Sequence, residues 1–337
     1  MAMTSESVRG FPSVPLLAGR LRTTDPAEQN EIFRLLFEYE AVQLNRGQFG
    51  HEVRFAGTDR AALYLEDYGG SLYQHGAMRG DRLGLCLPIV DHDSSWSGQS
   101  LGSGIMPICR SGQTLQMMFH PGHTQLVVIV DRQFYAEKLQ RSLLGTTANI
   151  EATFGHVGQR FLTCDTGRMD RWQQRLSLLL QTTGPALSQQ KAVAFEHELL
   201  TAFHSLIEGA ELQDFSGVSA RRLVKLATEH ADRAERRSVT VADLCVALGV
   251  SRRTLELAFR TVVGLSPLKF LTQRRLTLAY SDLLFASVES AQVTDIALTY
   301  GFTELGRFAS TYRQAFGELP SATLRRRAGK VRRVLGT

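Results

Sequence analysis

Thr240-VADLCVALGVS-Arg252 is echoed by Gln292-VTDIALTYGFT-Glu304 further along the chain. Each stretch reads as a short amphipathic helix, a glycine-centred turn and a second helix, opened by Ser251 in the first and Thr303 in the second. Asp243 matches Asp295, Leu244 Ile296, Cys245 Ala297, Gly249 Gly301 and Ser251 Thr303, all 52 residues apart. Beyond the turn the offset becomes 53, pairing Leu255 with Phe308, Phe259 with Tyr312, Gly264 with Gly317 and Pro267 with Pro320. One residue inserted after the second turn accounts for the shift. A helix-turn-helix element lays its second helix in the major groove of DNA, so two in one chain make duplex DNA the first partner to consider.

The side chains divide accordingly. Val241, Leu244, Leu248, Val250, Leu255 and Phe259 have the spacing of the inner face of two crossed helices. Cys245, like Ala297, is small where two helices approach closely, which suits a core residue better than a metal ligand. Ser251 is placed to cap the second helix and leaves Arg252, Arg253, Glu256 and Arg260 on its outer side. Arginines near a helix N-terminus suit base edges and phosphates. The bland alternative is a solvated face, against which three arginines in ten residues count. In the second unit Thr303, Glu304, Arg307 and Thr311 point outward, with Phe308, Tyr312 and Phe316 inward. Between the units Ser266-Pro267 starts a helix reaching about Leu284, roughly 27 Å long at 1.5 Å per residue. Arg274 and Arg275 on it are candidate phosphate contacts.

Charge is divided along the chain. Residues 1–210 carry 18 basic and 21 acidic side chains, and residues 211–337 carry 20 and 12, so the net +5 joins a −3 part to a +8 part. That asymmetry is the electrostatic footprint of a nucleic-acid-binding domain. A solvated basic tail, Arg325 to Arg327 with Arg332 and Arg333, explains only five of the charges.

At 337 residues two domains are expected. The apolar patch Leu126-VVI-Val130 is strand-sized and far short of a membrane span. The N-terminus lacks the basic start and apolar core of a secretory signal. Cys86, Cys109, Cys164 and Cys245 form no C-x-x-C pair, which speaks against a zinc site and suits a reducing cytoplasm.

The N-terminal half has a different texture. Asp25-Pro26 opens a helix expected to run to Leu44, with Ile32, Leu35, Leu36 and Tyr39 along one side. From Phe49 to Val130, Val53-RF, Ala61-ALYLE, Arg82-LGLCLPIV, Leu115-QMMF and Gln125-LVVIV alternate with turn residues, the pattern of a small antiparallel barrel or sandwich. Residues 132–144, 169–182 and 187–209 read as helices, the last with an apolar face of Val193, Leu199, Leu200, Phe203, Leu206 and Ile207. Gly209 and Gln213 to Gly217 read as a linker, and Ser219 as the cap of the next helix.

Enzyme chemistry finds little support. Gly98-Q-S-L-Gly102 matches the G-x-S-x-G nucleophile pattern, but Gly104-I-M-Pro107 breaks the helix that a catalytic Ser100 would need. His120-P-G-His123, with His92 between Asp91 and Asp93, raises a metal site, yet the two residues Pro121 and Gly122 mark a turn. No phosphate or dinucleotide fingerprint is present and no cofactor is expected. Trp96, Met117, Met118 and Phe119 are the candidates for lining a small-molecule pocket, Trp96, Met117 and Phe119 foremost. The rival to a DNA-binding regulator is a cupin-like enzyme or hydrolase, built on Ser100 or the histidines, with an accessory DNA-binding domain.

Residues 237–327 resemble the C-terminal domain of the AraC/XylS family of bacterial transcription factors. The resemblance rests on Asp243-L-x-x-x-L-G-V-S, Gly264-L-S-P-x-x-F, the helix with Arg274-Arg275-Leu276, and Asp295-I-A-x-x-Y-G-F followed by Phe308, Tyr312, Phe316-Gly317 and Pro320. Leu305-G-R-F-A-S-T-Y and Pro320-S-A-T-L are similar to the branch containing the ethanolamine-operon regulator. Tyr312 stands where many members have Phe, and Gly306 falls inside the second reading helix. The resemblance implies a cupin-like effector barrel in the N-terminal half and an all-α domain of two helix-turn-helix units joined by a long helix. It also implies an effector-responsive activator in the cytoplasm, with operator DNA, RNA polymerase and a small-molecule effector as partners, and homodimerisation as an option. The expected divisions are an arm at 1–25, a β-rich effector domain at 26–185, a helical dimerisation or linker segment at 186–217, a DNA-binding domain at 218–327 and a basic tail at 328–337.

Overall fold

The computed structural model describes residues 17–33, 36–47, 49–90, 94–96, 99–102, 104–142, 154, 160–184, 189–208, 210–214, 218–233, 239–286 and 292–326. The arm with Pro12 and Pro15, Leu35, His92, Gly98 and the tail with Arg332 and Arg333 lie outside them.

Thirteen strands form the N-terminal half of the described chain. They are β1 (Leu17–Thr23), β2 (Phe37–Gln43), β3 (His51–Gly57), β4 (Ala61–Tyr68), β5 (Leu72–Met78), β6 (Arg82–Val90), β7 (Ser95–Trp96), β8 (Gln99–Ser100), β9 (Ile105–Arg110), β10 (Thr114–Phe119), β11 (His123–Asp131), β12 (Arg160–Thr163) and β13 (Glu211–Asp214). One sheet runs β1-β3-β4-β11-β6-β9-β12-β13 and a second β2-β5-β10-β7-β8. Each sheet has two edge strands, so among the described residues no pairing closes a barrel; the region is β-rich and two-sheeted.

Alternation along the strands sorts their side chains into layers. In β11, Leu126, Val128 and Val130 face one way and Val127 and Ile129 the other. The first set joins Leu63, Leu85 and Ile108 beneath three helices, α2 (Arg132–Ser142), α3 (Thr166–Thr182) and α4 (Gln189–Glu208), through Phe134, Leu176, Leu199 and Phe203. The second set meets Phe37, Leu72, Met117 and Phe119 of the smaller sheet. Both faces of β11 are therefore covered, which is why its sequence is a continuous apolar run. The apolar face of α4 packs on the large sheet rather than standing free, although Val193 lies outside that face, 57% exposed.

Two sequence expectations need correction here. The first helix, α1 (Pro26–Phe33), stops eleven residues short of Leu44; Phe37-E-Y-E-A-V-Q pairs with β5 across Phe37–Met78 to Gln43–Leu72. Period-two alternation there outcompetes the i, i+3, i+4 reading. The expected linker contains β13, which pairs with β12. Ser219 is not a cap, because α5 (Val218–Arg233) already begins at Val218.

The C-terminal half is helical: α6 (Val241–Leu248), α7 (Arg252–Val263), α8 (Pro267–Phe285), α9 (Val293–Thr299), α10 (Leu305–Phe316) and α11 (Pro320–Arg325). Phe270 and Leu271, early in α8, belong to a core with Leu244, Leu255, Phe259 and Val224 of α5. Leu276, Tyr280 and Leu283, later in α8, belong to another with Ala297, Phe308, Tyr312 and Phe316. One helix thus skewers two small cores.

The smaller sheet lies between the interior of the β region and these helices. Val42 and Tyr73 share the core of the first helix pair, and the Tyr73 ring meets Phe270 edge-on at 5.0 Å. Gln43 Nε2 donates to Ala315 O at 3.0 Å, and Gly47 N to Gln314 O at 3.2 Å.

Candidate nucleic-acid interface

The two helix pairs are built alike. Thr240 caps α6 by accepting from Asp243 N at 3.2 Å, while Asp243 Oδ2 accepts from Thr240 N at 2.9 Å. These bonds from Thr240 hold the Asp243 carboxyl below its usual range. Gly249 ends the helix at φ 63°, and Gly301 occupies the same left-handed region at φ 75° in the second pair. A side chain there would strain the turn, so glycine at both positions is structural. Gly264 and Gly317 close α7 and α10 at φ 74° and 78°.

Ser251 caps α7, its Oγ accepting from Thr254 N at 3.1 Å. Arg252, Arg253 and Arg260 are exposed on α7, and Glu256, half-buried, accepts from Arg252 Nε at 2.9 Å. Leu255, Ala258, Phe259, Val262 and Val263 face inward.

On α10 the start differs from the sequence expectation. The cap position falls on Glu304, with no side-chain cap bond, and Thr303 precedes it. The residue inserted after the turn explains this, since Glu304 stands 53 residues from Ser251 and Thr303 only 52. Thr303, Glu304 and Arg307 are exposed; Thr311 is half-buried and donates to Arg307 O at 2.8 Å. The buried Tyr312 hydroxyl donates to Thr323 Oγ1 at 2.9 Å, which in turn donates to Glu318 Oε1 at 2.7 Å.

The two strut arginines sit elsewhere than phosphate contacts would. Arg274, 7% exposed, makes a two-pronged pair with Glu40 of β2, Nη2 donating to Oε2 at 2.7 Å. Arg275 lays its guanidinium 5.1 Å over the Phe302 ring, and burial lowers its pKa. Arg326, expected in a solvated basic stretch, donates to Asp25 Oδ2 at 3.0 Å, beside the Tyr280 hydroxyl, which donates to the same oxygen at 2.7 Å. Nothing in the sequence announces Glu40 as the partner of Arg274, or Asp25 and Tyr280 as those of Arg326; the alternating acids of Phe37-E-Y-E are the one local signal.

The pocket candidates separate as well. Trp96 and Met117 line an interior cavity with Phe33, Tyr39, Tyr64, Glu66 and Gln74. Phe119 is core, stacked on Tyr68 at 4.2 Å. Met118 faces out of the β region, close to Gly264. Ser100 lies exposed in a two-residue strand followed by a loop and β9, so no helix positions it as a nucleophile. His123 is buried with Nε2 3.3 Å from Gln125 Oε1.

A family model described as a helix-turn-helix domain matches residues 244–326. The probable thc operon regulatory protein of Rhodococcus erythropolis is 39% identical over 103 residues, 31% of each chain. XylDLEGF operon transcriptional activator 3 of Pseudomonas putida is 38% identical over 212 residues, 60% of this chain and 58% of that one. A solved structure of a probable AraC family transcriptional regulator from Rhodopseudomonas palustris is 37% identical, covering 32% of this chain and 98% of that one with a TM-score of 0.29. The match thus spans about a third to three-fifths of the length of these curated relatives. The C-terminal helices are a helix-turn-helix domain. That domain is of the AraC type found in these proteins, and the relatives found are regulators rather than enzymes.

Proposed function

We propose that this chain is a sequence-specific, DNA-binding transcriptional regulator, an effector-responsive activator of a catabolic or metabolic operon working in the cytoplasm. The observation that carries the reading is the repeated construction of the two helix pairs. Each follows its first helix with a left-handed glycine, Gly249 or Gly301, and presents exposed arginine on its second, Arg252, Arg253 and Arg260 on α7 and Arg307 on α10. We read both pairs as helix-turn-helix units held in register by α8, whose 19 residues span roughly 28 Å. That approaches the ~34–36 Å of one DNA turn, so α7 and α10 address successive major-groove segments. Ser251, Arg252, Arg253, Glu256, Arg260, Thr303, Glu304, Arg307 and Thr311 form the reading surface, and RNA polymerase is the partner that an activator requires.

The two-sheet unit is read as a cupin-like effector domain, and its smaller sheet as the transmitter. Phe37, Tyr39, Gln74 and Met117 line the cavity on one side, while Glu40, Val42, Tyr73 and Met118 of the same three strands meet the helical half on the other. A guest that shifts β2, β5 or β10 necessarily disturbs the seat of α8.

The test is binding to duplexes selected from a random pool. Arg252→Ala and Arg253→Ala should each cost about 1–3 kcal/mol and relax preference at the base they read. Unchanged affinity and preference in both variants would remove α7 as a reader.

A further inference from the structure

On α7 the side chain that points most directly away from the core is a leucine. Leu255, Ala258, Phe259, Val262 and Val263 fix the buried side of this helix. At about 3.6 residues per turn, the direction opposite to them falls on residue 257. Leu257 is 65% exposed. One turn before it stand Arg253 and Thr254, and one turn after it Arg260 and Thr261, all of them exposed.

An isolated apolar side chain at a protein surface is ordinary, so exposure by itself decides nothing. The position decides. The arginines and threonines around Leu257 can all bond phosphate oxygens or base edges, and their shared face is the one laid in the major groove. A helix seated there brings the middle of its outward face closest to the groove floor. Leucine can neither donate nor accept a hydrogen bond. Among the groups that base pairs present in the major groove, the C5-methyl of thymine is the apolar one. Covering that methyl with Leu257 takes both out of water, whereas covering a hydrogen-bonding base edge would leave the edge unpaired.

The second unit has different chemistry at the matching place. Ser310, 53 residues further on, is exposed on α10, and its hydroxyl can donate or accept. The two second helices thus differ at their centres, although the glycines that close them, Gly264 and Gly317, repeat.

We propose that Leu257 determines specificity by packing on the C5-methyl of a thymine in the segment addressed by α7, with no counterpart at Ser310 of α10. The proposal rests on reading α7 as a DNA-reading helix and assigns it a base preference. It also gives the chain a direction on its operator, because only one of the two segments carries this mark. Leu257 stands one helical turn from Arg253, about 5–6 Å between Cβ atoms, and base pairs stack at about 3.4 Å. The thymine therefore lies within about two base pairs of the base that Arg253 reads.

The test uses the full chain and a duplex selected from a random pool. Each thymine is replaced singly by deoxyuridine, which deletes the methyl and keeps every hydrogen-bonding group of the base. At least one replacement, in the half where Arg253→Ala relaxes the base preference, should weaken binding roughly fourfold, the worth of one buried methyl. Leu257→Ala should bind the unaltered duplex more weakly and lose nothing further on that uracil. Alanine suits a helix and the deleted side chain is outside the core, so the fold should persist, checked by circular dichroism. Leu257→Met keeps an apolar contact and should keep the uracil penalty. Absence of any such thymine overturns the assignment, as does a penalty that survives Leu257→Ala, the outcome expected if a neighbouring threonine covers the methyl. Discrimination of selected from scrambled duplex is measured on the same preparation. With it intact, either result sinks the Leu257 assignment alone; its absence in the unaltered chain sinks the DNA-reading of α7 and the assignment together.

Discussion

Arg274 Nη2 donates to Glu40 Oε2 at 2.7 Å across 234 residues of sequence, tying the strut between the helix pairs to a strand of the cavity wall. The Arg274 side chain is 9% exposed and that of Glu40 24%. Breaking one partner of a fully buried pair costs about 3–5 kcal/mol, and the partial exposure of Glu40 lowers the expectation for Glu40→Gln to about 2 kcal/mol. Urea unfolding should show it. A double-mutant cycle with Arg274→Gln should give clear coupling, and additive effects would mean that the pair is incidental.

Glu52 is a strong contributor to the acid limb of the stability curve. Bonds from Arg20 and then Arg22, each at 2.5 Å, lower Glu52 from 4.5 to about 2. Because its folded pKa is depressed, Glu52 stabilises the fold fully above about pH 4.5 and loses that contribution as pH falls to about 2. Glu52→Gln should flatten stability over this window, more at low salt than at high, since the arginines are well exposed. An unchanged acid limb would contradict the assignment.

Gly306 lies inside α10, exposed, and a Cβ built there meets nothing within 4 Å. Gly306→Ala should therefore stabilise the domain by up to about 1 kcal/mol, raising Tm. A fall in Tm would show that glycine there serves a backbone need that the helix geometry does not display.

Tyr312→Phe removes the hydroxyl that donates to Thr323. The ring stays packed against Phe308 and Phe316, and Thr323 keeps Glu318. The cost should be about 0.5–1.5 kcal/mol in thermal unfolding, with duplex affinity unchanged. A collapse of stability would mean that the bond organises α11 as a whole.

What the sequence discloses here follows the range of the interactions. The caps at Thr240 and Ser251 and the turns at Gly249 and Gly301 depend on neighbours within a few residues, and they were legible as a repeat. So were the strands from His51 to Asp131, whose alternation is written locally. The strand at Phe37–Gln43 was read as helix because Ile32, Leu36 and Tyr39 also satisfy helical spacing; its pairing with β5 decides the matter. Gln213 to Gly217 reads as linker, although β13 reaches Asp214, because the partner strand lies some 50 residues earlier. Arg274 was read as a phosphate contact because nothing near it in sequence announces Glu40. In the pocket, Trp96 and Met117 are legible from their character, whereas Tyr64 and Glu66 of β4 and Gln74 of β5 come together only through the packing of the two sheets.

The most direct measurement is the affinity of the full chain for a duplex selected from a random pool, against a scrambled duplex, across a salt series. Affinity for both should fall as salt rises, with the selected site staying at least a hundredfold tighter and Arg252→Ala and Arg253→Ala eroding that margin. Equal affinity for the two duplexes at every salt concentration would contradict the account.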